Sequence, residues 1–134
     1  MRRPLIAVTA AALSIGVGIA LSINPGSARN RRAVPVATPA GKAEFCIPHR
    51  QIRESLVRSD SVIDFKMLGG KIYRVTIPGG CPGLGFEERF GYSTSLDRLC
   101  ASDIITVLYT SPISSGARCP LGPFQPVTLA PPEK

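Results

Sequence analysis

The chain has 134 residues, room for one domain, with 13 Pro, 13 Gly, four Cys and no Trp. Its formal charge of +7 is unevenly spread. Fourteen Lys and Arg face nine Asp and Glu from Arg29 onward, but residues 43–134 are nearly balanced at ten against nine. The basic excess therefore sits near the N-terminus, which argues against a nucleic-acid-binding surface on the folded part.

Residues 1–28 read as a signal peptide or signal anchor. Arg2 and Arg3 precede residues 5–23, which carry no charge, and Pro25-Gly26-Ser27-Ala28 supplies a helix breaker and small residues for cleavage after Ala28. Nineteen uncharged residues are also enough to span a bilayer. Arg29, Arg31 and Arg32 follow directly, and positive charge resists translocation. The Arg2-Arg3 pair with a mild apolar run loosely resembles a twin-arginine signal. Residues 29–42, with Pro35, Pro39 and Gly41 and no periodic apolar pattern, read as a flexible basic linker.

The folded domain is expected over residues 43–129, with 130–134 a frayed tail. Residues 51–57 fit a short strand or a helical turn. Residues 61–67 and 71–77 both alternate apolar and polar, predicting a hairpin. A three-residue loop, Leu68-Gly69-Gly70, places Phe65 opposite Tyr73 and Ile63 opposite Val75 on one face, with Asp64 opposite Arg74 and Val62 opposite Thr76 on the other. Such a loop is commonly a type I turn with a left-handed glycine, here Gly70, closing a bulge. A one-residue slip would move every side chain to the wrong face, so the agreement constrains the register.

Residues 86–94 form a weaker strand pattern with Glu88 on the apolar parity. Residues 103–110 are apolar on both faces and rich in β-branched side chains, predicting a central strand. Pro120, Pro123 and Pro126 confine the C-terminal stretch to an edge or an extended coil. The fold class is mainly β: a small antiparallel sheet or partly open barrel stapled by two disulfides.

Cys46, Cys81, Cys100 and Cys119 are an even set after the leader with no CxxC pair, which favours two bridges and an oxidising compartment, periplasmic or secreted, over zinc or redox use. Of three possible pairings, the expected one is Cys46–Cys119, which would tie the ends of the domain, with Cys81–Cys100, which would brace the Gly-rich segment against the central strand.

Signatures for chemistry are sparse. Gly83-Leu84-Gly85-Phe86 is identical to the carboxylate-binding loop of PDZ domains, yet only 48 residues follow it, too few for that fold. His49 is the sole histidine, so a nucleophile–base pair would have to combine it with a residue such as Ser55, Ser59 or Ser61. Glu87, Glu88, Asp97 and Asp103 could supply a glycosidase pair, but the chain lacks the Trp platforms that sugar clefts use. No metal-ligand spacing is present and nothing calls for a cofactor.

Residues 46–127 resemble a family of short exported bacterial proteins of unknown function. The shared features are C-I-P at 46–48, G-G-K-I-Y at 69–73, C-P-G-L-G-F-E at 81–87, L-C-x-x-D-I-I-T-V-L at 99–108 and C-x-L-G-P-F at 119–124. The resemblance implies that the cysteines are structural and that the leader is a true export signal; it implies no activity. The expected function is a non-enzymatic envelope module that binds, inhibits or scaffolds an unknown protein or envelope component. Nucleic acid is not an expected partner, and membrane contact runs only through residues 5–23. The competing expectation is a small periplasmic hydrolase using His49 or an acidic pair. An enzyme requires a concave pocket with convergent polar groups, whereas a binding module shows an exposed apolar patch or sheet edge.

Overall fold

The computed structural model describes residues 33–94 and 97–131. The apolar run at 5–23, with its basic flank at 29–32, lies outside these residues, and no helix among the described residues is long and apolar enough to cross a membrane.

Among the described residues ten strands form three open antiparallel sheets, not a closed barrel. The largest contains β1 (Ala37–Pro39), β3 (Ile52–Val57), β4 (Val62–Met67), β5 (Ile72–Thr76) and β10 (Phe124–Leu129), in the order β1-β10-β5-β4-β3. A second pairs β2 (Cys46–Pro48) with β7 (Arg98–Cys100). The third has β8 (Ile104–Thr110) between β6 (Phe90–Tyr92) and β9 (Ile113–Pro120).

The β4–β5 hairpin has the register that its alternation demands. Phe65 faces Tyr73, Ile63 faces Val75, Asp64 faces Arg74 and Val62 faces Thr76. The turn differs from expectation at its tip. Gly69 and Gly70 have φ of 95° and 92°, and Gly70 N–H donates to the Met67 carbonyl at 3.1 Å. A type I turn would need a negative φ at Gly69, so two consecutive glycines permit a tip that most other residues would strain.

Both faces of the largest sheet carry order. Ile63, Phe65, Val75 and Phe124, all fully buried, join Ile47, Leu99, Ile105, Val107 and Leu84 in one core drawn from all three sheets. On the opposite face Asp64 is also fully buried, held by arginines. Arg74 Nε and Nη2 donate to its two oxygens at 2.7 and 2.9 Å, and Arg58 Nε donates at 2.8 Å. Arg74 Nη1 reaches on to the Pro35 carbonyl at 2.8 Å.

Several elements depart from the sequence reading. Part of the stretch read as linker is structured: β1 pairs with β10, Ala37 opposite Leu129. The C-terminal strand β10 is not an edge or coil but lies between β1 and β5, with Pro126 opposite Tyr73. It tolerates proline because the Pro126 carbonyl, and hence its ring nitrogen, faces β1, where it accepts from Ala40 N–H at 2.9 Å. One ladder bond is missing on that side and none toward β5. Residues 51–57 resolve into a 3-10 turn at His49–Gln51 followed by β3. Of the weak strand at 86–94, only β6 is extended.

The disulfide pairing also differs. The bridges are Cys46–Cys100 and Cys81–Cys119. Antiparallel pairing of β2 with β7 sets Cys46 directly opposite Cys100, Cα atoms 4.0 Å apart. The ends of the domain are tied instead by backbone, through reciprocal hydrogen bonds of Glu44 and Phe124 at 2.8 and 2.9 Å.

Candidate docking surface

Among the described residues the candidate chemistry-bearing side chains do not converge. His49 sits exposed in the 3-10 turn, its ring edge-on to Tyr92 at 5.6 Å between centroids. Ser55 is exposed on β3, and Ser59 and Ser61 occupy the β3–β4 turn, where the Ser59 hydroxyl accepts from Ser61 N–H at 3.2 Å. Asp97 pairs with Arg50 in solvent at 3.2 Å. Asp103 accepts from Cys100 N–H at 2.7 Å, closing the turn before β8. Glu87 and Glu88 stand apart at the end of a helical turn. Among the described residues no group of His, Cys, Asp and Glu could hold a metal ion.

That helical turn is the most unusual surface feature. Leu84–Glu87 forms one turn, α1, where the sequence pattern began a strand at Phe86. Proline and glycines at 82, 83 and 85 break the extended pattern, and Gly83 at φ 83° starts the turn in a conformation glycine adopts without cost. Leu84 is fully buried. Phe86, two residues on, points away and is 78% exposed.

The support beneath Phe86 is rigid. Cys81, buried, is bridged to Cys119 of β9 and donates its N–H to the Asp60 carbonyl at 2.7 Å. The Asp60 carboxylate accepts from Gly85 N–H at 2.7 Å, so a side chain of the β3–β4 turn caps α1 from outside. The loop that matches a peptide-carboxylate binder thus has its Gly85 N–H engaged by a carboxylate of its own chain. A Cβ at Gly85 would lie 2.9 Å from Asp60 N, so only glycine allows this approach. On the other side, the Tyr109 ring of β8 lies across the backbones of Gly83 and Gly116, the latter on β9.

Glu88 closes the turn with φ 52°, the one positive-φ non-glycine among the described residues. Its N–H donates to the Leu84 carbonyl at 2.8 Å, the helix-ending bond that a glycine ordinarily makes. A glutamate there costs about 1–2 kcal/mol of backbone strain.

Among the described residues the third sheet also leaves one edge of β9 unpaired. The other long edge, β3, carries Arg53 and Glu54 and a register break, and β1 and β6 have three residues each. The β9 edge spans eight residues, with no charge before Arg118 and Ile113 91% exposed at its start; a register break near Gly116 interrupts it. Sequence reasoning missed this surface because Phe86 shares a parity with Phe90 and Tyr92, which do pack against the core.

Comparison with protein-family models, with curated proteins and with solved structures finds no match for this chain.

Proposed function

We propose that the protein is an exported, non-enzymatic envelope module that docks a protein partner through the α1 turn. The observation that carries this is Phe86: a large aromatic left 78% in solvent on a turn fixed by a disulfide, a buried leucine and a carboxylate cap. Exposing Phe forfeits roughly 1.5–3 kcal/mol of burial, and one such residue on a mobile loop would mean little. Held rigidly, it is pre-organised, which lowers the entropy lost on binding. Aromatic anchors of this kind dominate interface energies. The strained Glu88 fits the same reading, because strain kept beside an exposed anchor is characteristic of functional surfaces.

Export is supported by the leader pattern and by the pairing of all four cysteines in disulfides, which persist in oxidising compartments. Photo-crosslinking tests the docking surface. A photoreactive phenylalanine analogue at position 86 should give discrete crosslinked products in intact cells, whereas the same analogue at Phe45, 63% exposed just before β2, should not. Equal, diffuse products from both positions would remove the basis for the proposal.

A further inference from the structure

The Phe86 turn has a complementary surface on the same molecule. A recess of about 370 Å³ opens on the large sheet near the β4–β5 tip, lined by Arg53, Glu54, Lys66, Met67, Gly70 and Ile72. Half-buried Ile72 gives it an apolar wall beside two cations and one carboxylate, Glu54, which pairs with Lys66 at 3.4 Å, while the Met67 side chain belongs to the core. Its volume exceeds the about 150 Å³ of cavities that accept benzene, so a benzyl side chain has room in it. The charges around Phe86 have the opposite balance: Asp60, Glu87 and Glu88 against Arg89.

We infer that Phe86 of one copy seats in the Arg53–Lys66–Ile72 recess of a second copy, so that the protein associates head to tail. The inference rests on the docking role assigned to α1 and names its partner. The turn cannot fill its own recess. Asp60, which caps α1, lies two residues before β4, and Gly70 lies just beyond its far end; the six residues of β4 separate the two surfaces by about 20 Å. Contact between different patches is heterologous, and it propagates into chains of molecules unless the rotation closes a ring. One aromatic anchor buries far less than the ~1,200 Å² of a stable interface, so the association is weak and is sought at protein concentrations up to about 1 mM. Opposed charges at the rim make it weaken with salt.

Sedimentation velocity on the oxidised chain from about 0.02 to 1 mM tests this. The wild-type mass should rise with concentration and fall back toward monomer in about 0.5 M NaCl. Phe86→Ala and the double variant Arg53→Glu/Lys66→Glu should each stay monomeric with near-wild-type melting temperatures. Mixed in equal amounts, they should give a complex of two chains and nothing larger, because each pair retains one intact turn and one intact recess. Where the double variant fails to fold, Arg53→Glu alone serves, since Arg53 is exposed and has no ion pair among the described residues. A wild-type chain that stays monomeric at 1 mM, a recess variant that associates normally, or a mixture that stays monomeric would each overturn the inference. Crosslinks from position 86 to a different envelope protein would then persist, leaving the docking role of α1 standing without self-association.

Discussion

Asp64 offers the sharpest test of what holds the outer face of the large sheet. Its carboxylate is fully buried and accepts three hydrogen bonds from Arg74 and Arg58, whose side chains are only 14% and 23% exposed. Asp64→Ala leaves two largely covered guanidiniums facing each other with no carboxylate between them. Removing one member of a buried ionic cluster typically costs about 3–5 kcal/mol, because the remaining charges stay desolvated. Replacing all three as Arg58→Met/Asp64→Leu/Arg74→Met removes the charges together and should be neutral or stabilising by up to about 4 kcal/mol. The triple variant also gives up the Arg74 bond to the Pro35 carbonyl, a loss of about 1 kcal/mol. Urea denaturation reads both: at an m-value of about 1.5 kcal/mol/M, Asp64→Ala should lower the midpoint by about 2–3 M. A loss below about 1 kcal/mol for Asp64→Ala, or a triple variant as unstable as the single one, would refute the reasoning.

Other outcomes follow from single contacts. Gly116→Ala puts a methyl group 2.5 Å from the Tyr109 ring and should cost about 1–3 kcal/mol in thermal melts. Glu88→Gly relieves the left-handed backbone and should raise stability by about 1 kcal/mol, while Phe86→Ala should leave it nearly unchanged. Peptide mapping of the oxidised chain should link Cys46 to Cys100; removing that bridge, which closes 54 residues, should cost about 4 kcal/mol. In alkali, burial raises the Tyr73 and Tyr92 hydroxyls above their ordinary value of 10.0, and the hydrogen bond to Tyr73 raises Lys71 above 10.5. The folded state then holds protons that the unfolded chain has released, so stability should fall as pH climbs past about 10. Tyr73→Phe should flatten that fall in a pH series of urea midpoints.

The parts of this fold that could be read from sequence are those where a local pattern is tied to burial. Alternation over residues 61–77 fixed the hairpin register because a slip would expose Phe65 and bury Lys66. The double-sided apolar run at 104–110 identified a strand flanked on both sides, as β8 is. Non-local choices were not legible. Nothing near Cys46 shows that it will lie opposite Cys100, since that depends on two three-residue strands finding each other across 54 positions. Pro126 reads as an edge signal because sequence cannot show which side of its strand the missing N–H faces. Phe86 continues the parity of Phe90 and Tyr92, yet glycines at 83 and 85 and the remote Asp60 turn it outward.

The pairing of Ala37 with Leu129 brings the two ends of the domain out at one place, as antiparallel neighbours on one sheet. Tension applied between those ends would act across the β1–β10 ladder and open its bonds singly, as a zipper opens, before the core is loaded. Such an attachment resists little force. A domain tethered at both ends would release β1 first and uncover the edge of β10 while both disulfides stayed closed. The same closeness means that a short linker could join the ends and new termini could open at the Gly69-Gly70 tip without disturbing the five-stranded sheet.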